Sequence, residues 1–564
     1  MPRSAAPETS MHPTSSHRLL LLLASTAALV ASASAQRVVL TMNGDQPGGN
    51  FGRTLALVRD IDGDGKRDLV VGEPYRDFGP VQDAGAAALI STGAWAIQYR
   101  SYGTQLGGHL GGSVAGLGDV NNDGVPDWAC GAPDPVLGTG FVRVLSGATG
   151  AQLLQLTGSP FARFGASICD IGDRNLDGRA DFAVGAPNAS PSSQNGFVRY
   201  YSGSNGSTML SLAGNGITNF GASLANLGDL TGDGRPEIAI GEPLADGNGV
   251  DAGNVLVRNP WLGSGTGYLW TAPTSFGVGQ QGGGRVAALG DIDGDGKSEV
   301  LATTVAGMVV CLAGANGAVL FFVQNAEFGD DPSLTGLGDW NGDGRPDFAV
   351  GSSTANLGNG HVYVYSTGPG TPLLSSFGGG AMSGFGSAVA DLGDLDGDGR
   401  VEIAVGSPTY ISQGLVVGRV TVHAFNIPGT MNISGTACPG QSGLQTLSLQ
   451  GPANLGDTVH IQAGNLRPNA FGYLLLGFSD SNHNGLPLPA SLQPFGLPCT
   501  LYVSIDSQIA YLANSLGTND YAMTLPSTPG FAGLHFHAQY CQLDSWAVGG
   551  LSFGKKGSIR IGNL

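Results

Sequence analysis

Asp60-Ile61-Asp62-Gly63-Asp64-Gly65-Lys66-Arg67-Asp68 sets acids at positions 1, 3, 5 and 9 of a nine-residue stretch and glycine at position 6. With acid or amide at position 3, and threonine in the fourth copy, the pattern returns six times, with starts at Asp119, Asp173, Asp229, Asp291, Asp339 and Asp394, successive starts being 59, 54, 56, 62, 48 and 55 residues apart. A unit repeated at this period predicts a propeller, a solenoid or an array.

The flanks choose among these. Nine residues before the first Asp stands Phe51-Gly52, Phe164-Gly165, Phe220-Gly221 or Phe385-Gly386, with Leu110-Gly111 as a variant. Twelve residues after it comes Gly72-Glu73-Pro74, Gly131-Ala132-Pro133, Gly185-Ala186-Pro187, Gly241-Glu242-Pro243 or Gly406-Ser407-Pro408. Short apolar runs such as Leu69-Val70-Val71 and Phe182-Ala183-Val184 lie between. Runs that short, bounded by turn signals, read as strands. Alternating segments follow, such as 140–146 and 360–366, and then a fourth such as 152–158. Four strands per repeat make a propeller blade. Repeats 5 and 6 depart from the pattern. Thr303-Thr304 replaces Gly-x-Pro in repeat 5, whose Phe-Gly position holds only glycines around Gly283. Repeat 6 has Gly351-Ser352-Ser353, and its Phe328-Gly329 lies two residues upstream of the usual place.

In this order, Phe-Gly, acidic loop, Gly-Ala-Pro, the chain resembles the FG-GAP repeat of integrin α-subunits and related secreted bacterial proteins. The resemblance covers roughly residues 37–426. The expected fold is all-β: a seven-bladed β-propeller of four-stranded blades followed by a small C-terminal β-sandwich. Repeat 7 ends at its third strand, 419–425, whereas a spare strand of the fourth type, 38–44, precedes repeat 1. That strand is expected to complete blade 7 and so remove two open sheet edges.

The loops predict calcium. This hard cation takes six to eight oxygen ligands, and the sharp turn at position 6 calls for glycine. The candidate ligands are Asp60, Asp62, Asp64 and Asp68 in loop 1, and Asp119, Asn121, Asp123 and Asp127 in loop 2. Loop 3 offers Asp173, Asn175, Asp177 and Asp181, and loop 4 Asp229, Thr231, Asp233 and Glu237. Loop 5 offers Asp291, Asp293, Asp295 and Glu299, loop 6 Asp339, Asn341, Asp343 and Asp347, and loop 7 Asp394, Asp396, Asp398 and Glu402. These include 24 of the 43 acidic residues, so much of the formal net charge of −18 is metal-site charge. Without an ion, each close carboxylate pair repels by roughly 1–4 kcal/mol. Up to seven Ca²⁺ ions are expected. Loops 1, 5 and 7, with four acids each, should bind best, and loop 4, with Thr231, more weakly. Flanks without helical periodicity argue against EF-hands and dockerins.

The rest of the chain bounds function. The acidic balance, with 25 Lys and Arg, excludes a nucleic-acid footprint. Arg18, the apolar run 19–30 and Ala33-Ser34-Ala35 read as a signal peptide over residues 1–35, cleaved near Ala35, and the run is too short for a membrane span. The propeller is assigned to 36–426 and the sandwich to 427–564, where strand-like runs occur at 444–449, 458–462, 501–505, 534–538 and 558–561. Of the six cysteines, Cys130 and Cys311 read as buried thiols, while Cys438 and Cys499 are placed to pair or to stay free. His535 and His537 share a strand face, but no third metal ligand is placed by the sequence. Gly550-Leu551-Ser552-Phe553-Gly554 has no acid or histidine after it and is not a nucleophile elbow.

The resemblance implies a secreted or cell-surface, monomeric binding or adhesion protein, not an enzyme. Its ligand would be an extracellular protein or glycan, with calcium stiffening one loop per blade. The alternative is a secreted carbohydrate-active enzyme, a polysaccharide lyase or hydrolase on a propeller, which would need paired carboxylates outside the loops.

Overall fold

The computed structural model describes residues 36–560. It omits 134–138, 189–194, 260–267, 273–275, 306, 330, 342, 369–370, 372, 398–399 and 426–429. Past 430 it also omits 435–438, 441–442, 451–452, 454–455, 479–481, 484–485, 489, 492–499, 502–504, 526–534 and 544–550. The expected signal peptide, Asp398, Cys438 and Cys499 lie outside the described residues.

Seven four-stranded antiparallel sheets form the blades. Blade 1 runs Thr54–Val58, Asp68–Glu73, Ala86–Ser91, Ala96–Tyr102, each strand pairing with the next. Blades 2 to 6 repeat this meander. The second strands are buried from end to end around apolar centres such as 69–71 and 182–184, and the third strands are largely buried too. The fourth strands alternate between exposed and half-buried residues at the rim. The apolar core is divided among the seams, where side chains of neighbouring blades mesh.

The ring closes as expected. Gln36–Asn43 pairs antiparallel with Arg419–Phe425 as the outer strand of blade 7. The Nε of Arg419 donates to Oδ1 of Asn43 at 2.7 Å. Just beyond this strand, Asp45 meets blade 1, where Arg76 and Arg100 bind both it and the buried Glu73.

The Phe-Gly and Gly-x-Pro motifs turn out to be two halves of one joint. The N–H of Gly52 donates to the carbonyl of Gly72 in its own blade, and Gly111 does the same to Gly131. Each Phe-Gly glycine also offers its carbonyl to the preceding blade. Thr54, Ser113, Ser167, Ser223 and Ser333 donate their hydroxyls to the carbonyls of Gly111, Gly165, Gly221, Gly283 and Gly386 at 2.6–2.9 Å. A Cβ on Gly131 would lie 2.2 Å from the Gly165 carbonyl oxygen, so the second motif needs glycine for this close approach. The phenylalanines are packed into the seams, Phe51, Phe164 and Phe220 being at most 1% exposed.

The two irregular repeats recover the joint by other means. In blade 5, Phe276 comes from upstream to fill the place of the missing phenylalanine, its ring lying against Gly282. In blade 6, a 3-10 turn, Ala326–Phe328, returns Phe328 to the core, edge-on to Tyr363 and Tyr365.

The C-terminal region is a β-sandwich. Thr446–Gln450, Thr458–Gly464 and Asn519–Thr524 form one sheet. Thr430–Ser434, Leu551–Arg560, His535–Leu543, Phe471–Gly477 and Ser507–Leu512 form the other. Leu447, Val459 and Ile461 pack with Leu474, Tyr540 and Ile559 between them. Of the strand expected at 501–505, residues 502–504 lie outside the described residues; Thr500–Leu501 is a short strand, and Ser507–Leu512 a longer one after it.

Candidate metal centres

Each acidic loop joins the first strand of a blade to its second, so seven copies sit at equivalent positions around the ring. In loop 1 the Asp60 carboxylate organises the backbone. Its Oδ1 accepts from the N–H of Gly63 at 2.7 Å and its Oδ2 from that of Gly65 at 2.7 Å. Gly65 is left-handed, with φ 83°, as the turn demands. Asp64 accepts from the N–H of Lys66 at 2.8 Å, and Asp62 from the Ser91 hydroxyl at 2.6 Å.

Position 9 opens the second strand and is buried. Asp68 accepts from the N–H groups of Ile61 and Thr92, each at 2.8 Å. The bond from the position-2 N–H recurs in every loop, for example from Val120 to Asp127, Ile292 to Glu299 and Leu395 to Glu402. One N–H per oxygen leaves a lone pair on that oxygen for a further partner.

The electrostatics are those of crowded anions. Burial, with neighbouring loop carboxylates adding to it, pushes Asp68 and Asp127 up to about 6 and Glu299 and Asp347 up to about 7. Position-1 Asp60, Asp229 and Asp291 lie below the usual carboxylate value. Slight burial raises them, and the backbone N–H groups of the turn outweigh it.

In four loops the ligand atoms converge. Loop 5 brings Asp291, Asp293, Asp295 and Glu299 within 4.8 Å of one another. Loops 1, 4 and 7 do so with three residues: Asp60, Asp62 and Asp68; Asp229, Asp233 and Glu237; Asp394, Asp396 and Glu402. Loops 2, 3 and 6 gather no such acidic group among the described residues. There the position-3 amide takes part in hydrogen bonds, Asn121 Nδ2 donating to Asp123 at 2.8 Å, Asn341 Nδ2 to Asp343 at 3.0 Å and Asn175 Nδ2 to Ser202 Oγ at 3.1 Å. In loop 4, Asn259, which the sequence did not single out, donates to Asp233 at 2.7 Å and to Thr231 at 3.3 Å.

These clusters have the composition to hold a divalent cation, and one residue tests the fit. Glu299 is buried, its Oε2 taking the Ile292 N–H and its carboxylate also the Gly314 N–H, and it shares its loop with three further carboxylates. A buried carboxylate crowded by other acids is costly, and a cation among them relieves the cost.

Elsewhere, Glu73 is taken up by two arginines, and His537 is buried with Nδ1 2.9 Å from Ser558 Oγ. Cys130, Cys169, Cys311 and Cys541 are buried free thiols.

The FG-GAP repeat family matches residues 51–90 and 220–257, and the FG-GAP-like repeat matches 339–405. Human integrin alpha-7 is 36% identical over 158 residues, covering 26% of this chain and 13% of its own. Integrin alpha-4 of Xenopus laevis is 34% identical over 166 residues, 27% and 16% of the two chains. Integrin alpha pat-2 of Caenorhabditis elegans is 30% identical over 213 residues, 32% and 17%. The match thus spans less than a fifth of each of these relatives.

Proposed function

The chain carries FG-GAP repeats of the integrin α type, and on that premise we propose that it is a secreted, calcium-binding adhesion propeller. The observation that supports this best is loop 5, where Asp291, Asp293 and Asp295 converge with the buried Glu299 within 4.8 Å of one another. Asp291, Asp293, Asp295 and Glu299 would hold one ion, with the corresponding residues of loops 1, 7 and 4 as further sites. Bound calcium supplies positive charge that cancels the carboxylate repulsion and ties the first strand of a blade to the second. Asp60 and its equivalents shape the turn, and the position-9 acids anchor it to the core.

Residues 1–35 serve as the export signal on this reading, 36–426 as the propeller and 427–564 as an accessory sandwich. Among the described residues no helix is long and apolar enough to cross a membrane. The ligand would be an extracellular protein or glycan met by a monomer. Equilibrium dialysis against calcium, on the wild type and on Glu299→Gln, tests the metal half of the proposal, and loss of one bound ion is expected. Arrays of extracellular proteins and glycans, read alongside polysaccharide cleavage, test the adhesion half. Product release abolished by mutating one acid outside the loops would replace adhesion by catalysis.

A further inference from the structure

The central channel departs from the ring's pseudo-symmetry at two places, and the two converge. Arg53 stands where other blades have Gly112, Ala166, Ala222 or Ser387, directly after the Phe-Gly glycine. Arg285 stands one position further along, where other blades have Thr54, Ser113, Ser167 or Ser223. Both arginines line a cavity of about 200 Å³ at the start of the inner strands, at the end of the channel away from the acidic loops.

The hydroxyls around this mouth already donate to glycine carbonyls of the next blade. At the seam between blades 5 and 6 that bond is replaced. Arg285 Nε and Nη2 donate to the two oxygens of Asp331, each at 2.8 Å, and Asp331 occupies the position of the Phe-Gly glycine. Arg53 is exposed to the channel, and its guanidinium makes no hydrogen bond or ion pair among the described residues. It nonetheless acts on the same carboxylate. Burial raises Asp331, and Arg285, together with Arg53, outweighs it and brings the group below its ordinary value. Two guanidinium groups therefore face one carboxylate, which leaves a net positive charge at the mouth of a narrow channel in a strongly acidic chain. Walls of low dielectric concentrate such a field. A planar guanidinium with free N–H groups matches a carboxylate geometrically.

We propose that the mouth of the central channel binds a carboxylate group of the ligand, held by Arg53 and by the outward N–H groups of Arg285. The cavity admits a carboxylate on a single sugar ring or side chain and excludes a folded segment. This deepens the adhesion reading and rests on it, but the site is separate from the calcium loops. The test is therefore run on the full chain saturated with calcium, so that its failure would leave the metal reading standing.

Galacturonate is titrated calorimetrically, with galactose as its uncharged counterpart. Saturable binding of galacturonate alone is expected, with a dissociation constant of roughly 1–10 mM. Arg53→Gln should weaken it about tenfold through loss of a charge-assisted contact, without changing the melting temperature. Asp331→Asn, which releases Arg285, should tighten it. No saturation by about 50 mM, equal binding of galactose, or an unaltered Arg53→Gln variant would each overturn the proposal.

Discussion

The hydroxyl of Ser113 donates to the carbonyl of Gly165 at 2.6 Å, from the inner strand of one blade to the Phe-Gly corner of the next. The same oxygen lies against the Cα of Gly131. One Phe-Gly carbonyl thus meets the inner-strand hydroxyl and the Gly-x-Pro glycine of the preceding blade, so the two motifs pair across each such seam. Ser113→Ala should cost about 1 kcal/mol, the net worth of one buried hydrogen bond. Gly131→Ala should cost about 3 kcal/mol, because its methyl group has no space without moving backbone. Denaturant unfolding ranks the two, and a Gly131→Ala protein as stable as the wild type would show that the close approach is not required.

The ion cluster beside the closing strand gives an asymmetric prediction. Glu73 is 1% exposed between Arg76 and Arg100, whereas Asp45 is 59% exposed. Glu73→Gln should destabilise by about 3 kcal/mol, since it leaves two poorly solvated guanidinium groups undercompensated. Asp45→Asn should cost about 1 kcal/mol or less. Equal effects would mean that burial does not set the balance.

Calcium removal should lower the melting temperature, and added calcium should restore it. Thr231→Asp, which supplies loop 4 with the acid that loops 1, 5 and 7 have at position 3, should raise calcium affinity at that site several-fold. A melting curve indifferent to chelator would remove the metal from the account of stability.

His423 predicts an acid-sensitive ring. It lies in the third strand of blade 7, 2% exposed, packed against Phe377 and Phe385 and bonded to Thr421 at 2.8 Å. Burial lowers its pKa to about 4 from an ordinary 6.5. Between those values the unfolded chain takes up a proton that the folded chain refuses, so stability falls as pH drops through this window, by on the order of 3 kcal/mol. Comparing melting at pH 7.5 and pH 4.5 for the wild type and His423→Gln isolates the contribution. The variant should lose less stability on acidification, and an equal loss in both would assign the effect to other groups.

The blades were legible because each strand is a short apolar run between fixed turn residues, and the closing strand because blade 7 lacked a fourth strand that 38–44 supplied. The place of the acidic residues in each loop followed from spacing, but their convergence did not. Loop 6 has the same kind of acids as loop 4, yet Asn341 hydrogen-bonds to Asp343 there, and only loop 4 draws three acids together. The substitution of Phe276 for the missing phenylalanine was illegible, since its offset from the acidic loop is unlike that in any other repeat. The Arg285–Asp331 pair escaped for a related reason: 46 residues separate partners that only a closed ring sets side by side. In the sandwich, Phe471–Gly477 was missed because a strand flanked by strands on both edges need not alternate cleanly.

The strand that completes blade 7 is among the first parts of the propeller to be synthesised, and its partner is the last. Asn43 must wait for Arg419 across 376 residues. Until then the blades form an open arc whose two terminal blades each have a neighbour on one side only, and the apolar seams at those ends face solvent. Contacts of such long sequence separation form slowly. Closure is therefore expected to come late, and protection of the end seams from proteolysis and aggregation with it. Any cut that frees the first ten residues of the ring after folding would return the whole arc to that vulnerable condition.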